Sequence, residues 1–297
     1  MEMMKTSPLI PLIVLLLLGF PARAMPPQMP VSYLAYTDGY WQVWVMTADG
    51  KKTRQVTKSS YDKSRVSWYP DGNFLLVNGN QGELSRVNLA NGTEILIPAP
   101  LKGMNDAVLS PDGRHIAFSL STSGSIDDNN IWLVDADGSN ERKLTNMEGL
   151  QHEPSWSPDG KRIYFLSGKG GQAHDIWELT LATRETKQLT SSSLYHFDVA
   201  VAPDGGLAFS SNRSGNYEIW TQDKDGNLRQ ITNDPAMDGK PGWSPDGTSL
   251  IFESTRSGQP ELWRVGADGS ELQQLTRHEQ GARAPVWHQA GGGKLAP

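Results

Sequence analysis

Cysteine is absent from the 297 residues, which removes disulfides, thiol nucleophiles, thiolate metal ligands and thioether lipid anchors from the argument. Long apolar runs are also lacking beyond position 24, and a bilayer core of ~30 Å needs about 20 such residues as a helix. No long segment repeats its apolar residues every three to four positions, so helices are not expected to build the core. An excess of positive charge is missing as well: 27 Lys and Arg stand against 33 Asp and Glu, a net charge of −6. A mildly acidic chain with interspersed charges is not suited to phosphate backbones, which excludes nucleic-acid binding. No G-x-S-x-G elbow, H-E-x-x-H helix or phosphate-cradling G-x-x-x-x-G-K-[ST] loop occurs.

What is present begins with a leader. Lys5 supplies a positive start, 9–20 is apolar, and Ala22-Arg23-Ala24 fits a small-x-small cleavage site, the pattern of a secretory signal peptide over 1–24. Its removal takes away Lys5, Arg23 and Glu2, a net +1, and changes the charge from −6 to −7. A short segment follows over 25–30, then the main domain over 31–288 and a C-terminal tail over 289–297, expected to be flexible. The mature chain is expected in the periplasm, with secretion as the alternative, as a monomer without a transmembrane segment.

Strand-like runs separated by turn residues predict an all-β domain. The stretch P-S-W-S-P-D-G-K-R-I-Y-F-L-S at position 154 returns as P-G-W-S-P-D-G-T-S-L-I-F-E-S at position 241, and the P-D-G aspartates Asp71, Asp112, Asp159, Asp204 and Asp246 lie 41, 47, 45 and 42 residues apart. A period in the forties with several short strands per unit predicts propeller blades. Each unit reads as strand A (the P-S-W-S type), a P-D-G turn, strand B, a loop, strand C with Ile-Trp or its equivalent, a D-G or N-G turn, and strand D closing on Leu-Thr. Pro presets φ, Asp bonds back to the backbone and Gly accepts positive φ, so five copies of P-D-G hold turns rather than catalyse. The first strand after the leader is already a B strand, and its missing strand A occurs at the C-terminal end as Ala284-Pro285-Val286-Trp287. The prediction is a six-bladed β-propeller of four-stranded blades, closed by pairing the C-terminal strand into the first blade and thereby covering a sheet edge. Nine of the ten tryptophans fall at strand A or strand C positions, all but Trp41, and are read as inter-blade packing.

Length varies almost entirely in the B–C loops: the P-D-G aspartate lies 14, 20, 18, 16 and 17 residues before the strand C Trp position. B–C loops and D-to-A connectors emerge on one face of a propeller, and loops on a rigid scaffold carry function. The residues just before each strand A, Arg65, Asp106, Glu153, Asp198, Lys240 and Ala284, are expected to ring the channel mouth on that face, with Asn105, His152, His196, Asp238 and Arg283 beside them. These form the candidate site for a protein or peptide partner carrying basic groups. No catalytic residue is assigned. Asp106, Glu153 and Asp198 are also weak candidates for a hard cation such as Ca²⁺; no other cofactor is expected.

W-S-P-D-G, the S-x-R-x-G segments Ser211-Asn212-Arg213-Ser214-Gly215 and Ser254-Thr255-Arg256-Ser257-Gly258, and the I-W, D-G and L-T that follow resemble the TolB-type propeller repeat over nearly the whole mature chain. The resemblance implies a periplasmic binding module of the Tol–Pal kind, with a peptidoglycan-associated lipoprotein as candidate partner at the channel mouth. In that family an α/β domain precedes the propeller. Here only 25–30 separates the leader from the first strand, so a stand-alone propeller is expected. The alternative is a metal-dependent polysaccharide-active enzyme: oligogalacturonate lyases resemble the repeat and hold a metal through histidines at the mouth, where His152 and His196 would be the best ligands. His174 belongs to a B–C loop and His278 lies near Thr276, so no third histidine is expected there.

Overall fold

The structure is a computed structural model that describes residues 30–98, 103–168, 174–191 and 194–289. The expected leader, 25–29 and the tail from 290 lie outside the described residues. Six four-stranded antiparallel sheets follow one another around a ring. Blade 2 illustrates the unit, with strand A Lys63–Trp68, B Phe74–Gly79, C Leu84–Asn88 and D Glu94–Leu96. Blade 1 takes its strand A from the far end of the chain, as expected. Ala282–Trp287 pairs antiparallel with Val31–Thr37, matching Val31 to Trp287 and Ala35 to Ala282.

Each recurring motif has a physical task. In the P-D-G turns, Asp112, Asp159 and Asp246 each accept a bond from the Ser two positions earlier at 2.6 Å and from the backbone N–H two positions later at 3.0–3.1 Å. Gly113, Gly160 and Gly247 adopt φ of 68–73°, which L side chains avoid. The closing Thr is a clasp between strands C and D. Thr190 Oγ1 accepts the Ile176 N–H at 2.9 Å and donates to Asp175 at 2.9 Å. Thr57, Thr145, Thr232 and Thr276 repeat this, holding Gln42, Asn130, Glu218 and Glu261 respectively.

The blades are joined by apolar contact. Six buried clusters among the described residues lie one at each blade interface, the last joining blade 6 to blade 1. In blades 3 to 6 a fully buried strand B Phe faces the strand C Trp: Phe118–Trp132, Phe165–Trp177, Phe209–Trp220 and Phe252–Trp263. Strand A tryptophans reach the preceding blade: Trp68 Nε1 donates to Val286 O at 3.1 Å and Trp156 Nε1 to Val108 O at 3.2 Å. Trp41, outside the pattern, lies under the Arg283 guanidinium at 3.8 Å.

Candidate functional site at the channel mouth

The six residues expected just before strand A instead lie inside it. The A strands begin earlier, at Lys63, Asn105, Gln151, His196, Asp238 and Ala282. The reason is a β-bulge: in every blade the A–B register shifts within strand A, and pairing resumes on its N-terminal side. Asp106, Glu153, Asp198, Lys240 and Ala284 all take positive φ, between 49° and 61°. A bulge leaves its extra residue outside the ladder and re-aims its neighbours, and residues other than Gly, Asn, Asp and His rarely accept this backbone.

The N–H groups freed by the bulge bind to the preceding blade. The Asp198 N–H donates to Glu153 Oε2 at 2.9 Å, the Lys240 N–H to Asp198 Oδ2 at 3.1 Å and the Ala284 N–H to Glu253 Oε2 at 3.3 Å. In blade 3 the next residue does the same, with the Ala107 N–H donating to Asn78 Oδ1 at 2.8 Å. Lys240 Nζ adds an ion pair to Asp198 Oδ1 at 2.6 Å, and Ser210 Oγ donates to Asp198 Oδ2 at 3.2 Å. Arg65 reaches from blade 2 to blade 4, donating to Pro154 O at 3.1 Å.

This pairing sets the electrostatics. Burial opposes ionisation of Asp198, but the Lys240 ammonium and its hydrogen bonds outweigh it and hold the carboxyl below its usual range. Burial likewise opposes the charge on Lys240, and Asp198 with Glu153 overcomes it and raises the ammonium pKa. Glu153 is pushed up, first by burial and then by the Asp198 charge. Burial pushes the His152 imidazole down, against the opposing pull of Asp106.

The expected site residues divide in two. Arg65, Asn105, Asp106, His152, Glu153, Asp198, Lys240 and Arg283 belong to the bulged segments, three or four positions before the residue that ends strand A. His196 and Asp238 lie five positions before it and are a correction: they are 0% and 1% exposed, on the blade interior rather than at the mouth. Asp238 is held by Arg256 of the S-x-R-x-G segment at 2.6 Å. His196 packs edge-on against Phe209, and burial lowers its pKa to about 4. Its backbone N–H donates to His174 O at 3.2 Å. His152 meets His174 too, with Nε2 3.3 Å from His174 Nδ1. Among the described residues no group of three or more His, Asp or Glu is arranged to hold a metal ion; Asp198 has both oxygens on Lys240 and Ser210, and Glu153 has Oε2 on the Asp198 N–H.

Sequence reasoning missed an aromatic arc on the same end. His152, His174, Tyr195, Phe197 and Tyr217 are half-buried and consecutive, with His174 5.7 Å from Tyr195 and 5.4 Å from Phe197, and Phe197 5.6 Å from Tyr217. The available signal was the Tyr195-His196-Phe197 run: Phe197 occupies a position that holds Ser64, Asn105, His152, Gly239 or Arg283 in the other blades. Next to the arc, a cavity of ≈ 490 Å³ is lined by Asn105, Asp106, Ser119, Ser121, Asn129 and His152, among others.

Comparison with known proteins agrees with this architecture. The crystal structure of TolB from Acinetobacter baumannii superposes with a TM-score of 0.78 over 87% of this chain and 66% of that one, at 22% identity, a likeness of fold. The Tol-Pal system protein TolB of Francisella tularensis subsp. holarctica is 27% identical over 146 residues, which is 48% of this chain and only 33% of that protein. An uncharacterized protein of Agrobacterium fabrum is 31% identical over 212 residues, 68% of this chain and 69% of that protein. The TolB beta propeller domain model matches residues 87–206 and 172–295. On these matches, and on six four-stranded blades in which the turn, clasp and packing residues recur, the chain belongs to the TolB beta propeller family.

Proposed function

We propose that this propeller is an exported, periplasmic binding module rather than an enzyme, and that the B–C end of its channel docks a protein partner of the cell envelope. The observation that carries the reading is the bulge position itself. One backbone geometry recurs in five blades, yet it carries Asp106, Glu153, Asp198, Lys240 and Ala284. A residue needed only for the turn would be alike in each blade, as the P-D-G aspartates are. Variation on a repeated, rigid backbone is how a scaffold encodes recognition. The relatives named for the Tol–Pal system support an envelope partner, with a peptidoglycan-associated lipoprotein the candidate that the resemblance implies. The lyase alternative loses its support once His196 is found inside blade 5.

Photo-crosslinking in the periplasm of a Gram-negative host tests this. A benzophenone amino acid at Asn105 or Tyr195 is expected to yield a discrete adduct with an envelope protein. The same group at Asp137 or Asp225, in C–D turns at the opposite end, is expected to yield none. Adducts only from the C–D turns would place the docking surface elsewhere and overturn the reading.

A further inference from the structure

The three bulge carboxylates are engaged to different degrees. Asp198 accepts the Lys240 N–H, the Lys240 ammonium and Ser210, and Glu153 accepts the Asp198 N–H, with side chains 15% and 19% exposed. Asp106 is the most open of the three. Its Oδ2 takes one bond, from Ser119 Oγ at 3.2 Å, and its Oδ1 lies 3.7 Å from Arg65 Nη1, beyond hydrogen-bond reach. A carboxylate offers about four lone-pair sites, so Asp106 keeps acceptor capacity, and its side chain is 34% exposed.

That spare capacity opens into the polar cavity. Asn105, Ser121 and Asn129 contribute amide and hydroxyl groups to its wall, and His152 closes one side. Burial favours the neutral form of that imidazole, so it does not repel a cation at neutral pH. The His152 ring is also the first of the aromatic arc, 4.9 Å from His174, and the arc runs on through Tyr195 and Phe197 to Tyr217. Half-buried aromatic faces receive apolar side chains and attract cations. A polar cavity with an under-used carboxylate thus adjoins an aromatic surface, with His152 as the shared wall.

We infer that the cavity at Asp106 and the His174–Tyr195–Phe197–Tyr217 arc form one groove for a segment of a protein partner, placing a Lys or Arg side chain on Asp106 and apolar side chains on the arc. The inference rests on the docking reading above and names the chemistry of the partner. Charge complementarity selects a basic group, because Asp106 lines the cavity without a Lys or Arg in its wall, and its ion pair with Arg65 at 3.7 Å is not closed by a hydrogen bond.

A phage-display library of random heptapeptides, selected on the mature chain, tests it. Recovered peptides are expected to combine Lys or Arg with aromatic or large aliphatic residues. Their recovery is expected to fall roughly tenfold on Asp106→Asn, as when one partner of an interfacial charge pair is removed, and to be unchanged on Asp137→Asn at the opposite end. Asp106→Asn is nearly isosteric at a side chain about one-third exposed, and thermal melting of both variants verifies that they fold. Phe197→Ala is expected to erase the apolar preference while retaining the basic one. Peptides enriched without basic residues, or recovered equally on Asp106→Asn, would overturn the inference and leave the docking reading standing. Failure to enrich any peptide would also overturn it, while the crosslinking result judges the docking reading separately.

Discussion

At the A–B end of this propeller one chemistry is written five times, whereas at the B–C end one backbone geometry, repeated in five blades, carries Asp, Glu, Lys or Ala. The P-D-G aspartates make the same local bonds in blade after blade. The bulge residues share their positive φ, and Asp198, Lys240 and Ala284 donate their N–H to the preceding blade, yet Asp198 forms an ion pair, Asp106 faces a cavity and Ala284 contributes no polar group. The lesson is that in a repeat protein conserved geometry marks what each blade must do for itself. Side-chain variation on that geometry marks what the ring does for something else.

The comparison breaks most completely if the body shared by both ends is removed. Phe165→Ala deletes a ring that is fully buried between strand B of blade 4 and its Trp177 partner, and a loss of about 3–5 kcal/mol is expected by chemical denaturation. Insensitivity there would mean that the inter-blade clusters do not carry the fold.

Acid should expose the B–C end next. His196 has its folded-state pKa lowered from 6.5 to about 4 by burial. The unfolded chain therefore binds more protons between these values. The stability from keeping this imidazole neutral is complete above pH ~6.5 and is lost as pH falls toward 4, up to about 3 kcal/mol. His196→Gln, the residue that Gln151 supplies at the same position of blade 4, is expected to flatten stability across that window. A melting profile still falling as steeply between pH 6.5 and 4 would assign the acid sensitivity to other groups.

Smaller effects sharpen the contrast between the ends. Asp112→Ala, Asp159→Ala and Asp246→Ala should each cost about 0.5–1 kcal/mol, since all lose the same solvent-screened hydrogen bonds. Widely unequal costs in urea unfolding would deny that the A–B turns are equivalent. At the bulge the smallest change is expected from Ala284→Gly. Its φ of 52° suits glycine, so melting should be unchanged or raised by the equivalent of a few tenths of a kcal/mol to about 1 kcal/mol. A clear loss would show that the Ala284 methyl packs more than its backbone strains.

Much of the fold was legible in the residues because the repeats act locally. A Pro that presets φ, a Gly that accepts positive φ and a Thr that reaches back to strand C each state their geometry within a few positions. The site was legible only in part. The residues around positions 152 and 198 were visible as a charged ring. Their placement within strand A was not, because a bulge leaves no compositional mark when Asp, Glu, Lys and Ala all occupy it. Glu253 and Asn78, which receive N–H groups from the next blade, lie in strand B and give no signal of their own. The aromatic arc joins residues from a B–C loop, a D-to-A connector and a strand, so only the folded ring brings His174, Tyr195, Phe197 and Tyr217 together.

The sequence by itself determined the number of blades, the turn at one end of each and the way the C-terminal strand closes the ring. Each of these follows from a short-range rule repeated at a regular period. Only the tertiary structure decided which charged residues are engaged by neighbouring blades and which remain available. Strand side chains alternate between faces, and one extra residue in the ladder changes that alternation. The bulge leaves His152 and Glu153 partly exposed, while His196 and Asp238 are buried. It commits Glu153 and Asp198 to their neighbours and leaves Asp106 facing a cavity.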